Sequence, residues 1–456
     1  MTHRPEDLPE SITHLRLERG KWSAGEEKIS PVTGCNSKRK RYKTMQKSGF
    51  RSTGYAINGP LEGVRVVEYC SLVSGPYCAK VMADLGALVL KIEPPRVGDR
   101  ARYMGPFAGD DPHPEKSGFF LYLNTNKRGL TLEPSRPSGK DIFEELVRNA
   151  DVLIEDRPAG YMEGLGLGYE DLKKINPGLI MTSITPFGRS GPYKDYKAYP
   201  LNMAHISGQG YLLPLPTNLE RPPVKAGDHA GEYDPALVAA VAILAALLEK
   251  AASGRGQFIE VSKMETLISM QRVESVAFAN DGVYMTRTGG LNPMPGGVLP
   301  CKDGYVVIVT PQEDQWDALV ELIGRPDWAK EEWVGIREER NTRSKEINEH
   351  LVEWLMQHTK EEIFRKGQAL GCPVAPVFSA RDQADSEQLA VRGFFQEIEH
   401  QVIGRTRFPT SAFRFSATPY RFERPAPLLG EHNEEVYGAL GYTEQELAKL
   451  RDEGTI

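Results

Sequence analysis

The stretch from Leu61 to Pro95, LEGVRVVEYCSLVSGPYCAKVMADLGALVLKIEPP, decides the fold of this chain. Two short apolar segments within it, VRVVEY and ALVLKIE, are predicted strands. The segment between them, GPYCAKVMADLG, is a predicted helix, because Pro76 suits a first helical turn and Gly86 suits a helix end. The stretch therefore predicts a strand, a helix and a second strand in succession.

The same alternation continues after Pro95. The segments GLTLE, DVLIED and GLIMTSITPFG are predicted strands, and PSGKDIFEELVRNA is a predicted amphipathic helix with Ser138 as its N-cap. Short apolar strands that alternate with helices are typical of a mostly parallel sheet covered by helices. The predicted fold class is therefore α/β.

The remaining segments are less regular. Residues 1–58 are polar without sustained periodicity, which predicts a disordered extension. The helix predicted over residues 235–248 is apolar on every side and is expected to be buried. A Gly/Pro-rich loop leads into a hairpin with KDG at its turn, and residues 311–370 are expected to be helical. TEQELAKLRDEG predicts a helix with Thr443 as its N-cap.

Composition limits the possible functions. The chain has 456 residues, 40% of them hydrophobic, and a formal net charge of −6, which is typical of a soluble enzyme of two or three domains. There is no broad basic field for nucleic acid or a membrane surface. The longest apolar run, Pro235–Leu248, is shorter than the ~20 residues that span a bilayer. Five scattered cysteines and an N-terminus without a signal peptide predict a cytoplasmic location.

Several familiar motifs are absent or lack their context. The nine histidines do not cluster, and no CxxC or HExxH pattern occurs, so no metal site is predicted. The sequence contains no GxSxG elbow, so a serine hydrolase is disfavoured. GLGLG at Gly164–Gly168 does not directly follow a strand, so it is interpreted as a turn before a helix. Composition and spacing alone lead only to a cytoplasmic α/β enzyme.

From Leu61 to the C-terminus the chain resembles the class III CoA-transferases, the family of formyl-CoA, carnitine and benzylsuccinate CoA-transferases and of α-methylacyl-CoA racemase. The stretches that carry the resemblance include the opening one, NTNKRGLTLE, ADVLIED, NPGLIMTSITPFGRSGPY, GRGQFIEVSKMETL, PCKDGYVVI and RPAPLLGEHNEEV. The resemblance implies a Rossmann-like large domain of residues 59–270 and 406–456 and a smaller α+β domain of residues 271–405. It also implies an interlocked dimer.

The resemblance further implies the chemistry. Such enzymes move CoA from an acyl-CoA to a carboxylic acid, so acyl-CoA is a substrate and no permanently bound cofactor is expected. An active-site Asp attacks the thioester carbonyl and forms covalent intermediates, which divide one difficult exchange into easier steps. Counting back from Ile243, the Asp of the family falls on Glu232, whose stem is one methylene longer.

The residues around Glu232 leave a second interpretation open. Asp234 followed by Pro235 is typical of a helix N-cap and first helical position, which would leave Glu232 in the preceding loop. Asp228 is a further candidate for the catalytic carboxylate. Glu232 is therefore the first candidate for the nucleophile, and Asp234 is the predicted cap.

The predicted CoA contacts combine matches and departures. Three residues match CoA contacts of the family: Leu72, Leu132 and Lys197. Tyr199 is also predicted to contact CoA. In racemases of the family a His stands where Tyr199 stands, so racemization is disfavoured. Gly296–Gly297 is the predicted lid over the active carboxylate, because glycines permit a mobile loop.

Four positions depart from the family pattern. Pro94 and Gly164 stand where the family has Arg, and Asp156 stands where it has Asn, with Arg157 in place of its aromatic neighbour. Neither Pro nor Gly can bind phosphate or stack on adenine as Arg does. An Asp that faces a nucleotide phosphate would repel it. Together with Glu232, these departures indicate a site that has lost function inside a preserved fold.

Together these observations predict a heteromer that is similar to benzylsuccinate CoA-transferase. This chain is predicted to be its less catalytic subunit, with a homologous partner that supplies the nucleophile and the CoA pocket, and succinyl-CoA is the donor that the resemblance implies. Three alternatives remain: a self-sufficient CoA-transferase with Glu232 as nucleophile, a non-enzymatic paralogue and an acyl-CoA racemase.

Overall fold

A computed structural model describes residues 59–214, 222–227, 229–270, 272–287, 294–420 and 422–456. The predicted disordered extension, residues 1–58, and the candidate Asp228 lie outside the described residues. The described residues belong to one compact unit. The predicted division into a large and a small domain stays a prediction.

A six-stranded parallel sheet forms the centre of the fold. Its spatial order is β3-β2-β1-β4-β5-β6, the doubly wound arrangement of dinucleotide-binding folds. Neighbouring strands are all parallel, and Val66 at the centre pairs with Val89 on one side and with Val152 on the other. The predicted α/β class is therefore confirmed. The strands are β1 (Arg65–Tyr69), β2 (Leu88–Glu93), β3 (Arg128–Thr131), β4 (Val152–Glu155), β5 (Ile180–Thr185) and β6 (Phe258–Ser262).

Helices connect these strands and cover the sheet. They are α1 (Ser74–Asp84), α2 (Gly118–Leu123), α3 (Pro137–Arg148), α4 (Tyr161–Gly164), α5 (Tyr169–Ile175), α6 (Pro200–Ile206), α7 (Tyr233–Ser253), α8 (Lys263–Met270) and α9 (Arg272–Asp281). Met82 of α1 and Ile243 of α7 pack with Val89 and Ile180 of the sheet in one fully buried cluster. Burying each such side chain stabilises the fold by ~1.5–3 kcal/mol.

Two antiparallel sheets follow in the chain. One contains β7 (Gly296–Cys301), β8 (Gly304–Val309) and β9 (Val374–Pro376), and its hairpin turns at Lys302 and Asp303 as predicted. The other contains β10 (Phe395–His400) and β11 (Gly404–Pro409). The helices beside them are α10 (Glu313–Leu322), α11 (Arg337–Thr342), α12 (Ser344–Leu355), α13 (Lys360–Ala369), α14 (Ala380–Ala384) and α15 (Glu387–Val391), and α16 (Asn433–Ala439) and α17 (Glu444–Asp452) follow.

Helix starts show where local sequence signals succeed and fail. Thr443 caps α17, and its backbone N–H binds Glu446 at 2.8 Å, as the capping-box pattern predicts. Ser138 was expected to cap α3, but the helix begins at Pro137 and its N-cap is Arg136. Ser138 instead lies 3.2 Å from the Thr455 hydroxyl near the C-terminus. A tertiary contact thus uses the hydroxyl that the local pattern assigned to a cap.

The prediction that α7 is buried on every side is wrong. Ala239 and Ile243 face the sheet, whereas Val241 is 67% exposed and Leu248 is 77% exposed. Within the described part of the chain, α7 is the one helix whose length and composition would allow it to cross a membrane. The core helix of a soluble protein satisfies the same criterion, so this is weak support for a membrane span.

Candidate functional site

The candidate site lies at the carboxyl edge of the parallel sheet. The loop of residues 70–73 follows β1, Asp156 follows β4, and Lys263 follows β6. In open α/β sheets, ligands bind outside the carboxyl ends of the strands. The fold therefore gathers these three segments, which are far apart in sequence, into one place.

Glu232 immediately precedes α7 at this edge. Its backbone N–H donates to the His229 carbonyl at 3.0 Å, and Gly231 before it has a left-handed φ of 90°. Asp234 is not the N-cap as predicted, because α7 begins at Tyr233, which makes Glu232 the N-cap residue and places Asp234 in the first turn. Pro235 fits in the same turn, where its missing N–H costs no helical hydrogen bond.

The Glu232 carboxylate is bound by two side chains. The Ser74 hydroxyl and the Lys263 ammonium each lie 2.6 Å from the same oxygen, Oε2. The Ser74 hydroxyl also lies 2.8 Å from the Glu232 carbonyl. Glu232 as a whole is 5% exposed. The predicted nucleophile is therefore a buried anion with charge-assisted hydrogen bonds, which are shorter and stronger than neutral ones.

Asp99 fixes the loop that leads to Ser74. Its Oδ1 accepts hydrogen bonds from the Ser71 hydroxyl at 2.9 Å and from the Leu72 N–H at 3.0 Å. Leu72 has a φ of 66°, a left-handed conformation that costs a residue with a Cβ about 1–2 kcal/mol. The predicted CoA contact Leu72 is thus held in a strained conformation by a buried carboxylate.

A charge-balanced cluster supports Asp99. Lys91 lies 2.8 Å from Asp99 and 2.9 Å from Glu68, and Lys127 lies 2.8 Å from the other oxygen of Glu68. All four side chains have no exposed surface. Burial lowers the pKa of Lys127 to about 8, although Glu68 opposes the shift. Two cations and two anions therefore compensate one another inside the fold.

Asp156 binds protein groups at this edge. Its Oδ2 accepts a hydrogen bond from the Ser71 N–H at 2.8 Å, and Arg157 lies 3.5 Å from its other oxygen. Burial raises the pKa of Asp156, while Arg157 and the Ser71 N–H oppose the shift. The Arg157 guanidinium stacks over the Tyr69 ring at 4.3 Å. The departures at these two positions therefore stabilise the loop before α1.

The other predicted CoA positions are more dispersed. Leu132 is 1% exposed, and its backbone N–H donates to the Glu93 carbonyl at 2.9 Å. Lys197 is exposed in the loop before α6, and Tyr199, 55% exposed, precedes that helix. Within the described residues, neither Lys197 nor Tyr199 has a hydrogen bond or ion pair to the Glu232 cluster. Gly164 is the exposed last residue of α4, and the turn predicted at GLGLG is present.

The predicted lid glycines lie in a strand. Gly296 and Gly297 are the first residues of β7, with φ angles of 106° and 80°. The Gly296 N–H donates to the Asn348 side chain at 2.7 Å, and the Asn348 amide donates back to the Gly296 carbonyl at 3.1 Å. Gly296 is therefore anchored to α12, and the placement of both glycines in a loop is corrected.

Sequence reasoning missed four residues of this edge. Ser74 and Lys263 bind Glu232, and both are the first residues of helices that follow strands, a position that could have identified them. Arg96 and Arg136 are exposed at the same edge. Their guanidinium groups lie close to the same point: a Cβ built on Gly454 would be 3.9 Å from that of Arg96 and 3.7 Å from that of Arg136. Arg96 stands two residues beyond Pro94, so a guanidinium is present close to where the family pattern expects one.

A second carboxylate cluster lies beside the site. Glu155 at the end of β4 is fully buried, and Arg189 lies 3.1 Å from it and also pairs with Glu163. Burial raises the pKa of Glu155 to about 7, although Ser183 and the Arg157 N–H oppose the shift. Within the described ranges, no group of three or more His, Cys, Asp or Glu side chains could hold a metal ion.

The sheet order defines a doubly wound α/β fold with a buried carboxylate at its carboxyl edge. Residues 61–433 match the model of CoA-transferase family III. The chain therefore belongs to this family, and it is an enzyme of the CoA-transferase type. The predicted family is confirmed, and CoA thioesters are the substrates of the family.

Named relatives agree with this assignment. The chain is 28% identical to a succinyl-CoA–D-citramalate CoA-transferase of Chloroflexus aurantiacus over 86% of its own length and 97% of the relative. It is 30% identical to a formyl-CoA:oxalate CoA-transferase of a Bradyrhizobium species over 87% and 97% of the two chains.

Solved structures agree as well. A CAIB/BAIF family protein from Brucella suis is 29% identical, with a TM-score of 0.75 over 84% of this chain and all of that one. The protein Rv3272 from M. tuberculosis is 26% identical, with a TM-score of 0.70 over 82% and 98% of the two chains.

Proposed function

We propose that this chain is one subunit of a class III CoA-transferase that moves CoA from an acyl-CoA to a carboxylic acid, and that it is the less catalytic subunit of a heteromer. The state of Glu232 carries this proposal. A carboxylate that attacks a thioester needs access to substrate and an unneutralised charge, whereas Glu232 is buried and its Oε2 is paired with Lys263 and Ser74. A homologous partner would then supply the attacking Asp.

An exposed apolar surface supports the partner subunit. The outward faces of α7 and α9 each carry exposed large apolar side chains, and exposed apolar surface of this kind is typical of protein interfaces. A homologous chain in an interlocked dimer would cover this surface. The most exposed members are Leu237, Val241, Leu248, Val273, Val276 and Phe278.

Acyl-CoA binding is assigned to the carboxyl edge. The loop at Leu72 would contact CoA beside the N-terminus of α1, and the guanidinium groups of Arg96 and Arg136 would bind its phosphates, for which Arg is well suited. Lys197 and Tyr199 are exposed, and Lys197 has no ion pair within the described residues, so both are available to contact CoA.

The names of two relatives narrow the substrate class. One relative is named for succinyl-CoA and citramalate, and the other for formyl-CoA and oxalate. We therefore propose a succinyl-CoA donor and a dicarboxylic acid as acceptor. The resemblance to benzylsuccinate CoA-transferase adds an aromatic acid as a second proposed acceptor. The proposed location is the cytoplasm.

Co-purification with the native partner, followed by a CoA-transfer assay, tests this function. The complex is expected to transfer CoA from succinyl-CoA to a free acid, whereas the purified chain alone is expected to be inactive. Glu232→Gln is expected to leave transfer by the complex within about threefold of the wild type, because the partner performs the chemistry. Activity of the chain alone that Glu232→Gln abolishes would contradict the proposal.

The same experiment separates two alternatives. A self-sufficient transferase that uses Glu232 predicts a CoA thioester on Glu232 of the purified chain. A CoA thioester on Asp228 instead would identify Asp228 as the nucleophile. A non-enzymatic paralogue predicts no turnover by either the chain or the complex.

A further inference from the structure

Lys263 contacts the carboxylate that occupies the nucleophile position of the family. We propose that Lys263 prevents Glu232 from carrying a covalent intermediate, so that this one lysine determines which subunit performs the chemistry. The proposal rests on the proposed function as a CoA-transferase subunit. It adds the residue that blocks the reaction in this chain.

The geometry places both donors on one oxygen. Lys263 Nζ and Ser74 Oγ each lie 2.6 Å from Glu232 Oε2, and the side chains of Lys263 and Glu232 are only 16% and 7% exposed. A buried carboxylate with two short hydrogen bonds is a stabilised anion. Oε2 must give up these hydrogen bonds before it can attack a carbonyl, and the stabilised charge lowers the nucleophilicity of the whole carboxylate.

The helices add to this stabilisation. Ser74 is the first residue of α1, Lys263 is the first residue of α8, and Glu232 immediately precedes α7. Helix N-termini carry a partial positive charge that favours a nearby anion. Three helices therefore begin at or next to residues that belong to this contact, and the Ser74 hydroxyl and the Lys263 ammonium at two of these starts bind the carboxylate, which favours its resting, unreacted form.

The Lys263 amine is also incompatible with the intermediates of the reaction. In the covalent route, the carboxylate attacks the acyl-CoA carbonyl and CoA thiolate leaves. The thiolate then displaces the acyl carboxylate from the anhydride and forms an enzyme thioester. Once the Lys263 ammonium has given one proton to water, its Nζ attacks this thioester: the nitrogen forms a C–N bond, the C–S bond breaks, and CoA leaves as the thiol with the second amine proton.

That side reaction would end the catalytic cycle. Its product is an amide between positions 232 and 263, which makes the chain lighter by one water molecule than the starting chain. Amides resist the acids that reverse a thioester, so such a chain could not turn over again. A lysine 2.6 Å from the reacting carboxylate therefore fits a subunit that does not form the thioester.

The test compares four full-length chains: the wild type, Glu232→Asp, Glu232→Asp/Lys263→Leu and Glu232→Asp/Lys263→Arg. Each is incubated with succinyl-CoA, and the peptides that contain positions 232 and 263 are weighed by mass spectrometry. The wild type is expected to show neither a CoA thioester nor an amide. The Leu double variant is expected to carry at least about tenfold more CoA thioester than Glu232→Asp, because removal of the Lys263 ammonium leaves the carboxylate unpaired and free to react.

The Arg double variant is the matched control. Arg keeps the positive charge but has no nucleophilic amine, so any amide seen in Glu232→Asp should disappear while the thioester stays below that of the Leu variant. Thermal unfolding verifies that each variant is folded. The Arg variant is expected to retain an ion pair with the carboxylate at position 232.

Two results would overturn the proposal: a CoA thioester on Glu232 of the wild-type chain, or equal thioester in Glu232→Asp and its Leu double variant. Absence of CoA transfer by the wild-type complex would contradict the proposed function instead, since the adduct comparison does not depend on the partner.

Discussion

At the scale of single residues, Glu232 shows how one methylene and one neighbour can change a site. The sequence predicts that it stands where the family has an Asp, but the fold determines what surrounds it. Ser74 and Lys263 lie 158 and 31 residues away in sequence, and both bind its carboxylate. The chemical character of Glu232 therefore depends on groups that no local pattern connects.

The ion pair predicts a stability effect. Lys263→Met should destabilise the chain by ~3 kcal/mol, because it leaves the buried Glu232 carboxylate without its counter-ion. The double variant with Glu232→Gln should recover most of this loss, since the charge is then removed as well. Urea unfolding of the two variants and the wild type measures both values. A double variant no more stable than Lys263→Met alone would contradict this account.

Glu155 predicts a pH dependence. Its folded pKa of about 7 exceeds the ~4.3 of an unfolded chain. Between these values the folded protein keeps a proton that the unfolded chain releases, so stability falls as pH rises through this window, by ~4 kcal/mol at most.

Glu155→Gln should flatten this fall in the unfolding temperature between pH 5 and 7, because Gln imitates the protonated acid. Glu170→Gln, whose side chain is 79% exposed, is the control and should leave the pH profile unchanged. An unaltered profile in Glu155→Gln would show that burial does not raise this pKa.

At the scale of elements, the connection between β1 and α1 depends on Asp99. This carboxylate binds the Ser71 hydroxyl, the Leu72 N–H and Lys91, and it therefore joins the loop of residues 70–73 to β2. The strain at Leu72 persists because these surrounding contacts determine its conformation, as is common at functional sites.

Asp99→Ala should destabilise the fold by about 3–5 kcal/mol, since it leaves one excess buried cation among Lys91, Lys127 and Glu68. Asp99→Asn keeps an acceptor for the loop and should cost less. Chemical unfolding measures both, with Asp111→Ala at an exposed site (63%) as the control. A loss in Asp99→Ala no greater than in the control would refute the charge balance.

At the scale of the whole molecule, the outward face of α7 and α9 is incomplete in a single chain. The sequence predicted that α7 would be enclosed, because an all-apolar helix is normally buried. The chain buries only the side that faces the sheet. The same apolar pattern is explained if a second chain covers the other side.

Val241→Glu and Phe278→Glu should therefore prevent association with the partner subunit. The unfolding free energy of the chain alone should change by less than about 0.5 kcal/mol, as is usual for exposed positions. Size-exclusion chromatography with light scattering measures the assembly. Val391→Glu, at a site 80% exposed on α15, should leave association intact, and equal assembly by all three variants would exclude this surface as the interface.

The sequence by itself determined the parallel sheet, its strands, the hairpin turn and the family, because apolar periodicity and turn residues are local signals. It also led to the prediction that Glu232 occupies the nucleophile position. Only the tertiary structure decided that Glu232 rather than Asp234 is the N-cap of α7, that Asp156 supports the loop before α1, and that Arg96 and Arg136 lie at the same edge. The physical reason is that parallel strands bring their carboxyl ends together from distant parts of the chain. Contacts such as that between Lys263 and Glu232 arise from this convergence and leave no local pattern in the sequence.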